Sequence, residues 1–133
     1  MNSVLVALLA LCASALKLSD QTTVCVRVTV AEFDASGKSR VVTRPTFFMK
    51  SGKPGFADMG REMPGEHSRV LWIGIMPTLL ADGRVNVNAC VAAEKSEGFD
   101  ILMQSTVTLE LNHQGTIRSG NMELALTPSL KPQ

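Results

Sequence analysis

The side chains able to do chemistry are few and scattered. Two histidines carry the chain's imidazoles: His67 in the stretch Pro64-Gly65-Glu66-His67-Ser68, and His113 in Asn112-His113-Gln114-Gly115. Glu66, His67 and Ser68 put an acid, an imidazole and a hydroxyl in a row, but consecutive side chains do not converge as a catalytic triad must. No Gly-x-Ser-x-Gly elbow, phosphate-binding glycine loop or His-x-x-x-His pair occurs. Tyrosine, a common general acid, is absent. The sequence therefore predicts no catalytic residues, no metal site and no cofactor. The competing expectation is a small ligand-binding or hydrolytic β-sandwich whose site joins the Glu66/His67 loop to the His113 turn.

Binding is better supported. Phe47, Phe48, Phe56 and Trp72 lie close together in sequence, with Met59 and Met63 among them. Such side chains dominate interfaces when exposed. Phe47 and Phe48 are adjacent, so on a strand they face opposite ways and one of them must be covered by something besides the main core. Pro45 and Pro77 each remove a ladder donor, and the sheet edge they leave is a place to accept a strand from another chain.

Three cysteines, Cys12, Cys25 and Cys90, make an odd set until the start of the chain is considered. Residues 4–11 are an unbroken apolar run, Val-Leu-Val-Ala-Leu-Leu-Ala-Leu, followed by Cys12 and the small residues Ala13-Ser14-Ala15. That layout predicts a secretory signal peptide over residues 1–15. Lys17 and Asp20 end the run short of the roughly 20 apolar residues that a spanning helix needs. A lipoprotein anchored through Cys12 is the lesser expectation, because Leu11 stands where a small residue is usual. Cleavage after Ala15 leaves Cys25 and Cys90 in an oxidising compartment, and the sequence predicts that they form a disulfide. The expected location is the periplasm or cell envelope, with no transmembrane helix in the mature chain.

The elements that must position these residues read as strands. From Thr22 to Phe33 apolar and polar residues alternate, as they do in a half-buried strand. Residues 40–49 form a second strand interrupted at Pro45, and 56–63 a third. Residues 70–80 make a fourth, nearly all apolar, where Gly74 and Pro77 weigh against a helix. Asp82-Gly83 between two apolar runs is a hairpin signal that pairs this strand with a fifth at 84–93. Residues 99–111, 116–119 and 122–127 complete the set, and 128–133 is expected to be a frayed tail. One domain over 16–127 is expected: all-β, an antiparallel sandwich or curved sheet of about seven to eight strands built from hairpins. Hydrophobic residues at 45% and charged residues at 19% suit a packed core. A net charge of +1 leaves no basic patch for nucleic acid or anionic lipid.

With those strands in place, one pattern resembles a known family. Residues 24–33, then Arg40-Val41-Val42-Thr43-Arg44-Pro45, Gly52-Lys53-Pro54-Gly55-Phe56-Ala57, Gly60, Pro64, and Gly74-Ile75-Met76-Pro77-Thr78-Leu79-Leu80-Ala81-Asp82-Gly83-Arg84-Val85 are similar to the β-module of bacterial secretins, the outer-membrane pore subunits of type II and type III secretion systems. The resemblance implies a non-enzymatic β-domain that works by protein contact or self-association in an envelope assembly. The chain looks too short to be a complete pore subunit, so the expectation is a short, stand-alone exported form.

Overall fold

The computed structural model describes residues 22–63 and 66–131, and for residues 59–63 and 66–69 the backbone alone. Among the described residues there are nine strands: β1 (Thr23–Phe33), β2 (Ser39–Thr43), β3 (Thr46–Lys50), β4 (Gly55–Met63), β5 (Glu66–Leu79), β6 (Val85–Glu94), β7 (Phe99–Leu109), β8 (Gly115–Ser119) and β9 (Met122–Leu130). All pairings are antiparallel. The expected all-β sandwich is observed, with one strand more than expected because Arg44 and Pro45 divide the second strand into β2 and β3. Both halves still pair with β1.

The strands form two sheets. The first has the order β2-β1-β9-β8, with β3 also on β1, and the second is the meander β4-β5-β6-β7. Period-two alternation decides what goes between them. Val24, Val26, Val28 and Val30 of β1 face inward with Leu124 and Leu126 of β9; Ile73 and Ile75 of β5 face inward with Val85, Val87 and Val91 of β6. All are essentially buried and belong to one core cluster. At about 25 cal/mol per Å² of apolar surface removed from water, this layer is the main source of stability.

Turn chemistry sets the registers. Gly83 takes φ 89° and donates its N–H to the Leu80 carbonyl, closing the Asp82-Gly83 hairpin. At the β1–β2 turn, Asp34 accepts from the Ser36 hydroxyl at 2.6 Å and from the Ser36 and Lys38 N–H groups at 2.9 Å. Those bonds, that of the Ser36 hydroxyl foremost, hold the Asp34 carboxyl below its ordinary pKa. Asp82 is lowered in the same way, chiefly by the Arg84 N–H and then by its side chain.

Two expectations about the ends fare differently. The signal peptide and Cys12 lie outside the described residues. The tail is not frayed from residue 128: Pro128, Ser129 and Leu130 extend β9 opposite Val26, Cys25 and Val24, and Lys131 donates to the Thr23 carbonyl. Pro128 is tolerated because β8 pairs β9 only as far as Leu126, so the missing N–H breaks no strand ladder, while the Pro128 carbonyl accepts the Asn112 N–H at 2.7 Å.

Candidate functional site

The two-loop site is taken apart by the topology. Glu66 and His67 belong to β5 by backbone, not to a loop, and their side chains lie outside the described residues. His113 sits beyond the far end of β7, where Leu109 pairs with Val85 and Val85 with Leu79. Twelve residues of extended strand separate His67 from Leu79, which is about 40 Å at ~3.3 Å per residue. The two positions therefore stand at opposite ends of the second sheet. His113 is occupied locally, its Nδ1 lying 2.8 Å from Glu110 Oε2 in an exposed pair. Among the described residues no group of His, Cys, Asp and Glu could hold a metal ion.

The expected Cys25–Cys90 disulfide is not formed; both thiols are free. Each does lie away from the valine face of its strand. The two outer faces, however, belong to opposite sheets, since Cys25 on β1 neighbours Phe48 and Ser129 whereas Cys90 on β6 neighbours Gly74 and Gln104. Sheets in a sandwich stand about 10 Å apart with outer side chains pointing away from each other, which exceeds disulfide reach.

Pro45 lies on the edge that β2 and β3 form, and neither proline leaves the neighbouring strand without a partner. The Pro45 carbonyl accepts the Val28 N–H at 2.9 Å, so the bend between β2 and β3 still covers β1. Pro77 lies on a central strand, and the loop after β3 completes its ladder: Gly52 N–H donates to the Pro77 carbonyl at 2.7 Å and Leu79 N–H to the buried Ser51 hydroxyl at 2.8 Å.

The four aromatic candidates divide between faces. Phe47 is core at 6% exposure. Phe48, on the outer face of the first sheet, is 61% exposed beneath the Lys131 ammonium, 5.6 Å from its ring centre. Phe56 and Trp72 both lie on the outer face of the second sheet. Register brings further apolar residues to them: Phe56 pairs with Gly74, Gly74 with Cys90, Trp72 with Ala92, and Ala92 with Ile101. Phe99 closes the row edge-to-face on Trp72, with ring centres 6.2 Å apart. Phe56, Ile101 and Phe99 are 70%, 61% and 57% exposed, and with Trp72 these residues span the four strands, about 15 Å at ~4.8 Å per strand, with the exposed Asp58 opposite Trp72 on β4. A shallow groove of about 190 Å³ beside it is lined by Phe56, Gly74, Met76, Cys90 and Gln104. The Trp72 indole N–H is buried with no acceptor among the described residues.

Phe99 and Ile101 were not singled out from sequence, because the alternation of β7 breaks at Leu102. The bulge there sets Ala92 opposite Ile101 and Val91 opposite Met103, so Ile101 and Met103 end on opposite faces. Away from the patch the same face is polar, with Asn86 donating to Thr108 at 3.2 Å and Thr106 donating to Asn88.

No family model matches the sequence, and no curated protein matches it. Solved structures do share its fold. The Salmonella SPI-1 type III secretion injectisome secretin InvG, in the open gate state, superposes with TM-score 0.50 at 8% identity, over all of this chain and 67% of that one. A near-atomic cryo-EM structure of the same secretin gives 0.52 at 7% identity, covering 71% of its chain. The basal-body assembly of InvG, PrgH and PrgK gives 0.52 at 7% identity, covering 50% of the matched chain. The likeness is one of fold.

Proposed function

We propose that this chain is an exported, non-enzymatic β-domain of the bacterial envelope that acts by protein–protein contact, within or beside a secretion assembly of the secretin kind. The observation that carries the reading is the outward apolar patch of Phe56, Trp72, Phe99 and Ile101 on the second sheet. A monomeric sandwich leaves its outer face polar, as this one does along Asn86, Asn88, Thr106 and Thr108; a contiguous apolar patch rimmed by polar residues marks a contact surface. The fold it shares with secretins, and the leader-like residues 1–15, support the envelope as its place. The periplasm or another envelope face, and passage through signal cleavage, belong to the same proposal.

The test is site-specific photo-crosslinking in cells. A photoreactive residue at position 56 or 101 is expected to capture a discrete envelope protein, and the same residue at Thr116, on the outer face of the opposite sheet, is not. Phe56→Asp combined with Ile101→Asp is expected to abolish the capture made from position 99 while leaving the protein folded. Equal labelling from both sheets, or none from either, would refute the proposal.

A further inference from the structure

We infer that two copies of this chain associate through β7, pairing antiparallel about a two-fold axis at Thr106. This goes beyond the contact proposed above, since it concerns an edge of the second sheet and a second copy of the chain, not the apolar face and another protein.

The two sheets have four edges. An exposed edge offers unpaired N–H and C=O groups to any extended chain, and folded proteins blunt such edges with short strands, charge, proline or bulges. Three edges here are blunted. On one side of the first sheet, β2 and β3 are five residues each, are broken at Pro45 and carry Arg40 and Lys50. On its other side, β8 is five residues and carries Arg118. In the second sheet, β4 holds Asp58, Arg61 and Glu62 and is irregular between Arg61 and Met63. Among the described residues, only β7 lacks these devices over most of its length. It runs eleven residues with no Lys, Arg or Pro, and its one charge, Asp100, lies near its start and is paired with Lys95 at 3.8 Å. The Leu102 bulge confines the regular edge to residues 103–109, which carry no charge at all.

That segment is complementary to itself. Met103, Ser105, Val107 and Leu109 face the core side, while Gln104, Thr106 and Thr108 face out. A two-fold at Thr106 sets Thr106 against Thr106 of the second copy, Gln104 against Thr108, Ser105 against Val107 and Met103 against Leu109. Every outward pair is then polar and every inward pair contains an apolar residue. The half-buried Val107 becomes covered opposite Ser105, and the outward side pairs polar residue with polar residue. The Asn88–Thr106 and Asn86–Thr108 hydrogen bonds line up with their symmetry mates to make one polar ladder across an eight-stranded sheet. A two-fold of this kind closes on itself, whereas β7 joined to β4 of another copy would set the uncharged segment 103–109 against Asp58 and Arg61 and would propagate as an open polymer.

Sedimentation equilibrium of the purified protein tests this. The wild type is expected to run as a dimer. Thr106→Lys, at an exposed outward position, places two ammonium groups against each other at the axis and should raise the dimer dissociation constant about a hundredfold. Its far-UV circular dichroism and urea midpoint verify that the fold survives. Thr106→Cys gives a second readout that does not depend on weakening anything: mild oxidation should yield a covalent dimer whose bond maps to position 106 in both copies. A monomeric wild type, an open-ended polymer, a dimer indifferent to Thr106→Lys, or a crosslink that forms at Gln104→Cys in preference to Thr106→Cys would overturn the inference. Capture of an envelope partner at position 56 by a protein that stays monomeric would overturn it alone and leave the contact proposal standing.

Discussion

Phe56 and Gly74 face each other across β4 and β5, and removing the ring should be felt through the glycine. About a third of the Phe56 surface is covered. For a side chain of roughly 200 Å² that is about 60 Å², or about 1.5 kcal/mol at 25 cal/mol per Å². Phe56→Ala should therefore lower stability by about 1–1.5 kcal/mol, even though most of the ring is in solvent. Gly74→Ala places a Cβ 3.1 Å from Phe56 Cε1 and 3.3 Å from Cδ1. The exposed ring can swing aside, so the gain from replacing glycine in a strand, about 0.5–1 kcal/mol, should roughly cancel the cover that is lost. In the Gly74→Ala background, Phe56→Ala then has less to remove, and a double-mutant cycle should return about 0.5–1 kcal/mol of coupling. Urea unfolding followed by Trp72, the chain's single tryptophan, measures all four proteins. Equal cost of Phe56→Ala in both backgrounds would show that the ring does not rest on Gly74 and would remove it from the structured part of the patch.

Other expectations concern the core, the turns and the thiols. Ile73→Ala, at a fully buried position facing β6 and β1, should cost about 2–5 kcal/mol in the same unfolding assay, more than any single patch residue. Because the Asp34 carboxyl titrates below its unfolded value, its contribution to stability is present above about pH 4 and lost as pH falls through the folded pKa. Asp34→Ala should be less stable than wild type at pH 7, and the two should converge at low pH. Alkylation without reductant should label Cys90 in the native protein and Cys25 only after unfolding, and intact mass should show no internal disulfide. The mass of the protein recovered from an envelope fraction should correspond to a chain beginning at Leu16.

Much of the fold is legible in order of sequence because strands and turns are local devices. The alternation of residues 22–33 names β1 and its buried face, and Asp82-Gly83 names a hairpin whose glycine does take positive φ. The opposed faces of Phe47 and Phe48 follow from period two alone and hold at 6% and 61% exposure. The candidate site was legible only in part. Phe56 and Trp72 were found as aromatic residues, but Phe99 and Ile101 depend on a bulge at Leu102 that alternation does not announce. Pro45 and Pro77 are both ladder breaks, but only Pro45 lies on a sheet edge, that of β2 and β3; Pro77 falls on a central strand whose ladder Ser51 and Gly52 complete.

By itself, the sequence determined the all-β class, the hairpins and the side of each strand that is apolar, since these follow from residue period and turn conformation within a few neighbours. Tertiary structure alone decided which strand lies in which sheet. Pairing β9 beside β1 joins residues about a hundred apart in the chain, a choice made by the shared core and not by local pattern. That choice sends Cys25 and Cys90 to opposite outer faces, separates His67 from His113 by most of the molecule, and gathers Phe56, Trp72, Phe99 and Ile101 onto one surface.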